Sequence, residues 1–221
     1  TFKYVVIAFV KIAAIAIMLV SVYFAANGYS SLPEAKDYLE GSDNVTVSKN
    51  RNEIFFDGNG EDALFIFYGG ALVDEKSYNK LAYRLAETGV DTVIVRMPFD
   101  FAIADYNKAD SIRKKHPYNS YYIGGHSLGG TFCTVNASKN SDVYDGVVLL
   151  GSYCTGALSG TKLKLLSIYG ENDLVLNMKS YDNARVKNPS DTTEYVIKGG
   201  NHAAYGQYGI QDGDGSLLID P

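Results

Sequence analysis

Four short runs, apolar almost throughout, restrict the fold of this chain more than any other feature. They are Ala63 to Tyr68 (ALFIFY), Thr92 to Val95 (TVIV), Gly146 to Leu150 (GVVLL) and Leu163 to Tyr169 (LKLLSIY). A strand that does not alternate between apolar and polar has both faces covered, as in a parallel sheet between layers of helices. The intervening stretches have a different rhythm. Glu75 to Thr88 puts Tyr78, Leu81, Ala82 and Leu85 on one helical face and closes at Gly89. Tyr106 to Lys115, Thr131 to Lys139 and Asn177 to Arg185 read as further helices, and 121–123 and 193–197 as further strands. Upstream, Pro33 to Glu40 reads as a short helix, and 45–47 with 54–56 as an antiparallel hairpin at the sheet edge. Strands alternating with helices predict an α/β fold built on a mostly parallel, doubly wound sheet. At 221 residues the chain has room for one substantial core. Reactive groups in such a sheet belong on loops after the carboxyl ends of the strands.

An N-terminal apolar helix is expected to precede this domain. From Tyr4 to Ala26 the chain is broken only by Lys11 and Ser21, and roughly 20 apolar residues suffice to cross a bilayer. Residues 1–30 therefore read as a transmembrane or signal-anchor segment, and 31–221 as the folded domain. A secretory signal running from Ile12 to Ala26 and a buried core helix are the other readings of the same run. Lys3 and Lys11 precede the segment, while Glu34, Asp37 and Glu40 follow it. That asymmetry sets the domain outside the cytoplasm, anchored to a lipid bilayer through residues 4–26 or secreted after cleavage. The net charge of −5 argues against nucleic acid as a partner. Two cysteines, Cys133 and Cys154, exclude a disulfide framework; in an oxidising compartment they form either one bridge or two small buried apolar residues.

Gly125-His126-Ser127-Leu128-Gly129 carries the chemistry. It follows a strand and opens a helix, the context in which a serine sits on a sharp turn with its hydroxyl exposed above the sheet. Glycines two residues to either side fit because a side chain there collides with the neighbouring strand or helix. A serine nucleophile needs a base, and the base needs an orienting carboxylate. Of the three histidines, His116 precedes Pro117 at the wrong end of the sheet and reads as a surface residue. His126 adjoins the serine and diverges from it. His202 lies on a glycine-rich loop after the last strand and is the expected base. Asp173, on the loop after 163–169, is the expected acid, with Glu171 as its local rival. The Leu128 N–H and one donor from Gly69-Gly70-Ala71-Leu72 are the expected oxyanion hole, with Ala71 ahead of Gly70. A tight turn without a ligand is the other reading of that loop.

These stretches resemble the α/β-hydrolase superfamily, and within it the small bacterial α/β-hydrolase fold-5 group. The likeness rests on Phe67 to Asp74, Val95 to Pro98, Gly124 to Gly130, Ser167 to Gly170 and Gly199 to Gly209. It implies Ser127 as nucleophile, Asp173 as acid and His202 as base. Many members continue with a helix after the histidine loop, whereas this sequence stops at Pro221. Only about a dozen residues separate Leu150 from Leu163, close to the minimum for a parallel crossover, so a minimal, lidless site is expected. Phe99, in the loop after 92–95, is a candidate for the substrate pocket wall and equally for core packing. Asp212-Gly213-Asp214-Gly215 lacks the acidic residue that would complete a calcium loop and reads as a turn; no metal or cofactor is expected. The combined expectation is a serine hydrolase of a small-molecule carboxylic ester or related acyl compound, working through an acyl-enzyme. An acyltransferase with the same triad and a non-enzymatic exported binding protein are the alternatives.

Overall fold

The computed structural model describes residues 2–60 and 62–221; in the first helix the side chains at 2, 10, 13, 14, 16, 17, 19, 20, 21, 24 and 25 lie outside that description. An eight-stranded sheet forms the centre, in the order β1-β2-β4-β3-β5-β6-β7-β8. The strands are β1 (Thr46–Lys49), β2 (Glu53–Asp57), β3 (Ala63–Tyr68), β4 (Asp91–Val95), β5 (Ser120–His126), β6 (Gly146–Leu150), β7 (Lys164–Gly170) and β8 (Asp191–Ile197). β1 and β2 form the expected edge hairpin, and β2 pairs antiparallel with β4. Every other pairing is parallel. The helices are α1 (Phe2–Asn27), α2 (Asn79–Glu87), α3 (Ala109–Lys115), α4 (Leu128–Lys139) and α5 (Met178–Ala184).

The apolar runs bury both faces, as their sequence requires. Leu64, Ile66 and Tyr68 of β3 pack with Val93, Ile123 and Leu149 against Ile112 of α3 and Cys133 and Ala137 of α4. Phe65 and Phe67, one residue out of phase, pack with Phe56 and Ile94 against Tyr78, Ala82 and Ala86 on the other side. Each fully buried Val, Leu, Ile or Phe among them contributes about 1.5–3 kcal/mol. Cys133 and Cys154 are buried free thiols. Burial pushes both thiols up, Cys154 to about 12, so both are inert packing residues.

Several elements are shorter or tighter than their sequence periodicity suggests. The start of the helix read at 75–88 is a 3-10 turn, Glu75–Tyr78, because the Asp74 carboxylate accepts the Lys76 N–H and tightens the entry. α3 starts only at Ala109. α5 starts where the Asn177 side chain accepts the Ser180 N–H. Between β6 and β7 no residue is helical.

α1 is a single helix, and its described apolar side chains, among them Tyr4, Phe9, Ile12 and Met18, are exposed. Over the described residues, however, no helix is long and apolar enough to cross a membrane, so the structure does not support the expectation of a span at 4–26. The chain after α1 belongs to the fold. Tyr29 bridges to Val73; its N–H donates to the Leu72 carbonyl at 2.7 Å and its carbonyl accepts the Asp74 N–H at 2.9 Å.

Candidate active site

β5 delivers Ser127 at its carboxyl end, and the chain reverses there into α4. The reversal forces Ser127 to φ 52° and ψ −124°, a region that costs a non-glycine residue about 1–3 kcal/mol and persists only where its surroundings fix it. Here they do. The Ser127 N–H donates to the Leu150 carbonyl at 2.9 Å, and its own carbonyl accepts the Ser152 hydroxyl at 2.7 Å. A Cβ on Gly125 would lie 2.7 Å from the Tyr68 carbonyl oxygen, and one on Gly129 would lie 2.2 Å from that of Gly69. The two flanking glycines are thus close-approach positions, as their spacing around the serine suggests.

The loops after β7 and β8 bring Asp173 and His202 together. His202 Nδ1 lies 2.8 Å from Asp173 Oδ2, and both residues are buried. The other carboxylate oxygen of Asp173 accepts the N–H groups of Val175 at 3.0 Å and Leu176 at 2.8 Å. Each oxygen thus has its own donors, which fixes the carboxylate plane. Gly151 makes room for the pair: at φ 52° it adopts a conformation that favours glycine, and a Cβ there would lie 3.0 Å from both Asp173 Oδ2 and His202 Nδ1. His202 Nε2 is buried without a hydrogen-bond partner among the described residues. Ser127 and His202 line one cleft of about 160 Å³, whose walls include Leu128, Thr131, Tyr153, Val175 and Leu176. Glu171, the rival acid, is engaged elsewhere: its carboxylate accepts the Gly199 N–H at 3.1 Å.

The segment read as a turn near the C-terminus does more than turn. One Asp214 oxygen accepts the N–H of Ala203 at 2.9 Å, and the other accepts that of Leu174 at 3.4 Å. A single carboxylate therefore ties the residue after His202 to the residue after Asp173. Among the described residues no group of three or more His, Cys, Asp or Glu could hold a metal ion.

For the oxyanion donors, Leu128 is the first residue of α4, so its N–H lacks an intrahelical partner. The Ala71 N–H has no hydrogen-bond partner among the described residues. Gly70 must be set aside as a donor. Its N–H is consumed by the Tyr78 hydroxyl at 2.9 Å.

Two other expectations are corrected. Phe99 does not line the cleft. Phe99 at φ 57° and Asp100 at φ 52° turn the chain sharply, and Phe99 is left 56% exposed. His116 is not a surface residue: its ring packs on Phe55 at 4.4 Å, and Nε2 lies 3.0 Å from the buried Glu53 carboxylate, which Lys115 also contacts. Burial pushes the Glu53 carboxyl up, but its hydrogen bonds to Lys115, His116 and Asn50 outweigh that and hold it low.

Beside the site, the Asp100 carbonyl accepts the Leu72 N–H at 2.9 Å, while its carboxyl is crowded by Glu75 and Asp74. Burial first, then the charge and hydrogen bond of Glu75, raise that carboxyl to about 7, with Lys76 opposing. The folded protein therefore holds a proton that the unfolded chain releases near its ordinary value of 3.8. Stability from this group is complete below that value and is lost as pH rises through about 7. Asn lacks the titration and tolerates the left-handed backbone. Asp100→Asn should raise the melting temperature at pH 8, by about 2–4 °C per kcal/mol recovered, and match the wild type below the unfolded-state value. Melting curves across that range test this; an equal offset at every pH counts against it.

The sequence matches the model of the alpha/beta hydrolase family over residues 64–220. No curated protein matches it. Among solved structures, it resembles an alpha/beta hydrolase enzyme from the metagenome of lagoon sediments at Mar Chica, Morocco. That likeness has a TM-score of 0.57 at 14% identity and covers 72% of this chain and 90% of the other. Est1E from Butyrivibrio proteoclasticus, solved with ferulic acid bound, gives 0.58 at 13% identity, covering 73% and 89%. A membrane phospholipase A described as a bacterial virulence factor gives 0.57 at 10% identity, covering 91% and 92%. At such identities the structural likenesses speak for the fold, and the family match extends over most of the chain. The chain belongs to the alpha/beta hydrolase family.

Proposed function

We propose that this chain is a serine hydrolase of carboxylic esters. Ser127 Oγ attacks the ester carbonyl carbon while His202 Nε2 takes its proton. The imidazolium, held by Asp173, returns that proton to the leaving alcohol. Water then attacks the acyl-enzyme with His202 again as base, and the carboxylic acid leaves. The Leu128 and Ala71 N–H groups receive the oxyanion in both halves. The observation that carries the reading is the divided bonding of His202. Its Nδ1 is committed to Asp173, its Nε2 is buried without a partner among the described residues, and the residue lines the same cleft as the strained Ser127. Esterase- and lipase-like structural neighbours support the same class. The cleft, about 160 Å³ and partly apolar, favours a short acyl group, since sites for drug-sized ligands span about 300–1,000 Å³. Attachment to a bilayer through residues 4–26 is proposed on the apolar run of the sequence.

A fluorophosphonate probe tests the reading. One equivalent should attach at Ser127 of the folded protein, located by peptide mass spectrometry. A folded protein that stays unlabelled would leave a binding protein as the better description.

A further inference from the structure

The geometry points to Tyr78 and His126 as positioning residues that set the oxyanion loop and back the ring of the base, an inference that rests on the hydrolase chemistry proposed above. The Tyr78 hydroxyl accepts the Gly70 N–H at 2.9 Å and lies 2.9 Å from His126 Nδ1. Burial, with the neighbouring His202 next, holds His126 well below the ordinary histidine range, so its ring is neutral. A neutral ring offers an acceptor nitrogen. In the tautomer that carries its proton on Nε2, the order runs Gly70 N–H to Tyr78 oxygen, then Tyr78 O–H to His126 Nδ1. The other face of the contact is aromatic: the rings of His126 and His202 lie 4.5 Å apart between centroids. Tyr78, His126 and His202 are each at most 1% exposed, and Tyr78 also packs on Phe67 at 4.9 Å. Water has no access to replace any member of the chain.

This arrangement acts on two functional parts at once. In the oxyanion loop, Leu72 is held by the Asp100 carbonyl and by Tyr29, and the Asp74 N–H by Tyr29. The peptide that carries the Ala71 N–H is held from Gly70 on both sides: its carbonyl accepts the Val73 N–H at 3.4 Å, and the shorter bond, from the Gly70 N–H to the Tyr78 hydroxyl at 2.9 Å, anchors it to the core. That bond also removes Gly70 from competition, while the Ala71 N–H has no partner among the described residues. Gly70 is bare for the same reason: a Cβ would lie 2.9 Å from His126 Nδ1 and 3.0 Å from the Tyr78 oxygen. On the other side, the His126 ring is a wall against which His202 rests while Asp173 holds its edge. The residue before the nucleophile therefore couples the two groups that must meet the same tetrahedral centre.

Tyr78→Phe keeps the packing and deletes the hydroxyl. It should lower kcat for a short p-nitrophenyl ester by about 10- to 100-fold, the scale of a sub-ångström misplacement of a catalytic group, with KM within about twofold. A trifluoromethyl ketone, which forms an oxyanion adduct with the serine, should lose affinity by the same factor as kcat/KM. All rates are normalised to fluorophosphonate-titrated sites, so a variant that merely folds poorly loses sites rather than rate per site. His126→Phe is the second variant: it keeps a ring against His202 but offers Tyr78 no acceptor, and should fall in the same direction. Wild-type rate per site in both variants overturns the inference while leaving the hydrolase reading intact. So does a fall in rate with unchanged ketone affinity. An unlabelled, inactive wild-type protein instead removes the hydrolase reading itself.

Discussion

Ser127→Ala should abolish turnover of a short p-nitrophenyl ester, with kcat falling by about 10⁴–10⁶-fold, the range for loss of a triad nucleophile. The size follows from the site. With the hydroxyl gone, His202 Nε2 has only water to activate, and the acyl-enzyme cannot form. The residual rate is what the oxyanion donors and the cleft give an attacking water. The substitution is also clean. Alanine has the same Cβ as serine, so the strain at φ 52° is nearly unchanged. The bonds that hold this residue run through its backbone, to Leu150 and from Ser152. Melting temperature should therefore shift by no more than a few degrees. Steady-state kinetics on the purified variant, with active sites titrated, checks the claim; a rate within about a hundredfold of wild type would assign the chemistry elsewhere.

How much of this was readable in the sequence depends on the range of the forces involved. The sheet was legible because burial on both faces leaves its mark on consecutive residues, as in Leu64 to Tyr68. Ser127, Asp173 and His202 were legible as candidates because strand, turn and helix context is local and chain order orders the loops. The brace was not. Tyr78 reads as one apolar position of an amphipathic helix, and its partner His126 lies 48 residues away. Nothing local distinguishes a hydroxyl that fixes a distant loop from one that merely packs. Asp214 failed for the same reason: Asp-Gly-Asp-Gly is a turn signal, and the bonds to Ala203 and Leu174 appear only once the two loops converge. Phe99 and Gly70 were misread at the level of single torsions and single hydrogen bonds. No propensity scale shows that two successive non-glycine residues turn left-handed, or that a neighbouring tyrosine has consumed an N–H. The boundary drawn at 30/31 cut through a bridge, since Tyr29 pairs with Val73 and one residue of pairing leaves no periodic trace.

Asp173→Asn should lower kcat by about 10⁴-fold, the scale of a triad histidine held in the wrong tautomer, although it alters one atom. In the native site Asp173 is an acceptor at both oxygens: one takes the N–H groups of Val175 and Leu176, the other faces His202 Nδ1. An asparagine has one acceptor and one donor end. If its oxygen stays with the two backbone donors, its NH₂ points at Nδ1, which must then become the acceptor. The imidazole proton moves to Nε2, the nitrogen proposed to act on Ser127, which then no longer accepts a proton. The opposite amide orientation sets NH₂ against two backbone N–H groups in a buried site, leaving both donors unsatisfied at about 1–3 kcal/mol each. The first orientation wins, so the protein stays folded and the base is disabled. Fluorophosphonate labelling should slow in parallel with kcat, because both need the serine proton removed. A variant within about tenfold of wild type on both measures would mean that Asp173 serves only to hold its own loop, and that the tautomer of His202 is set by another group.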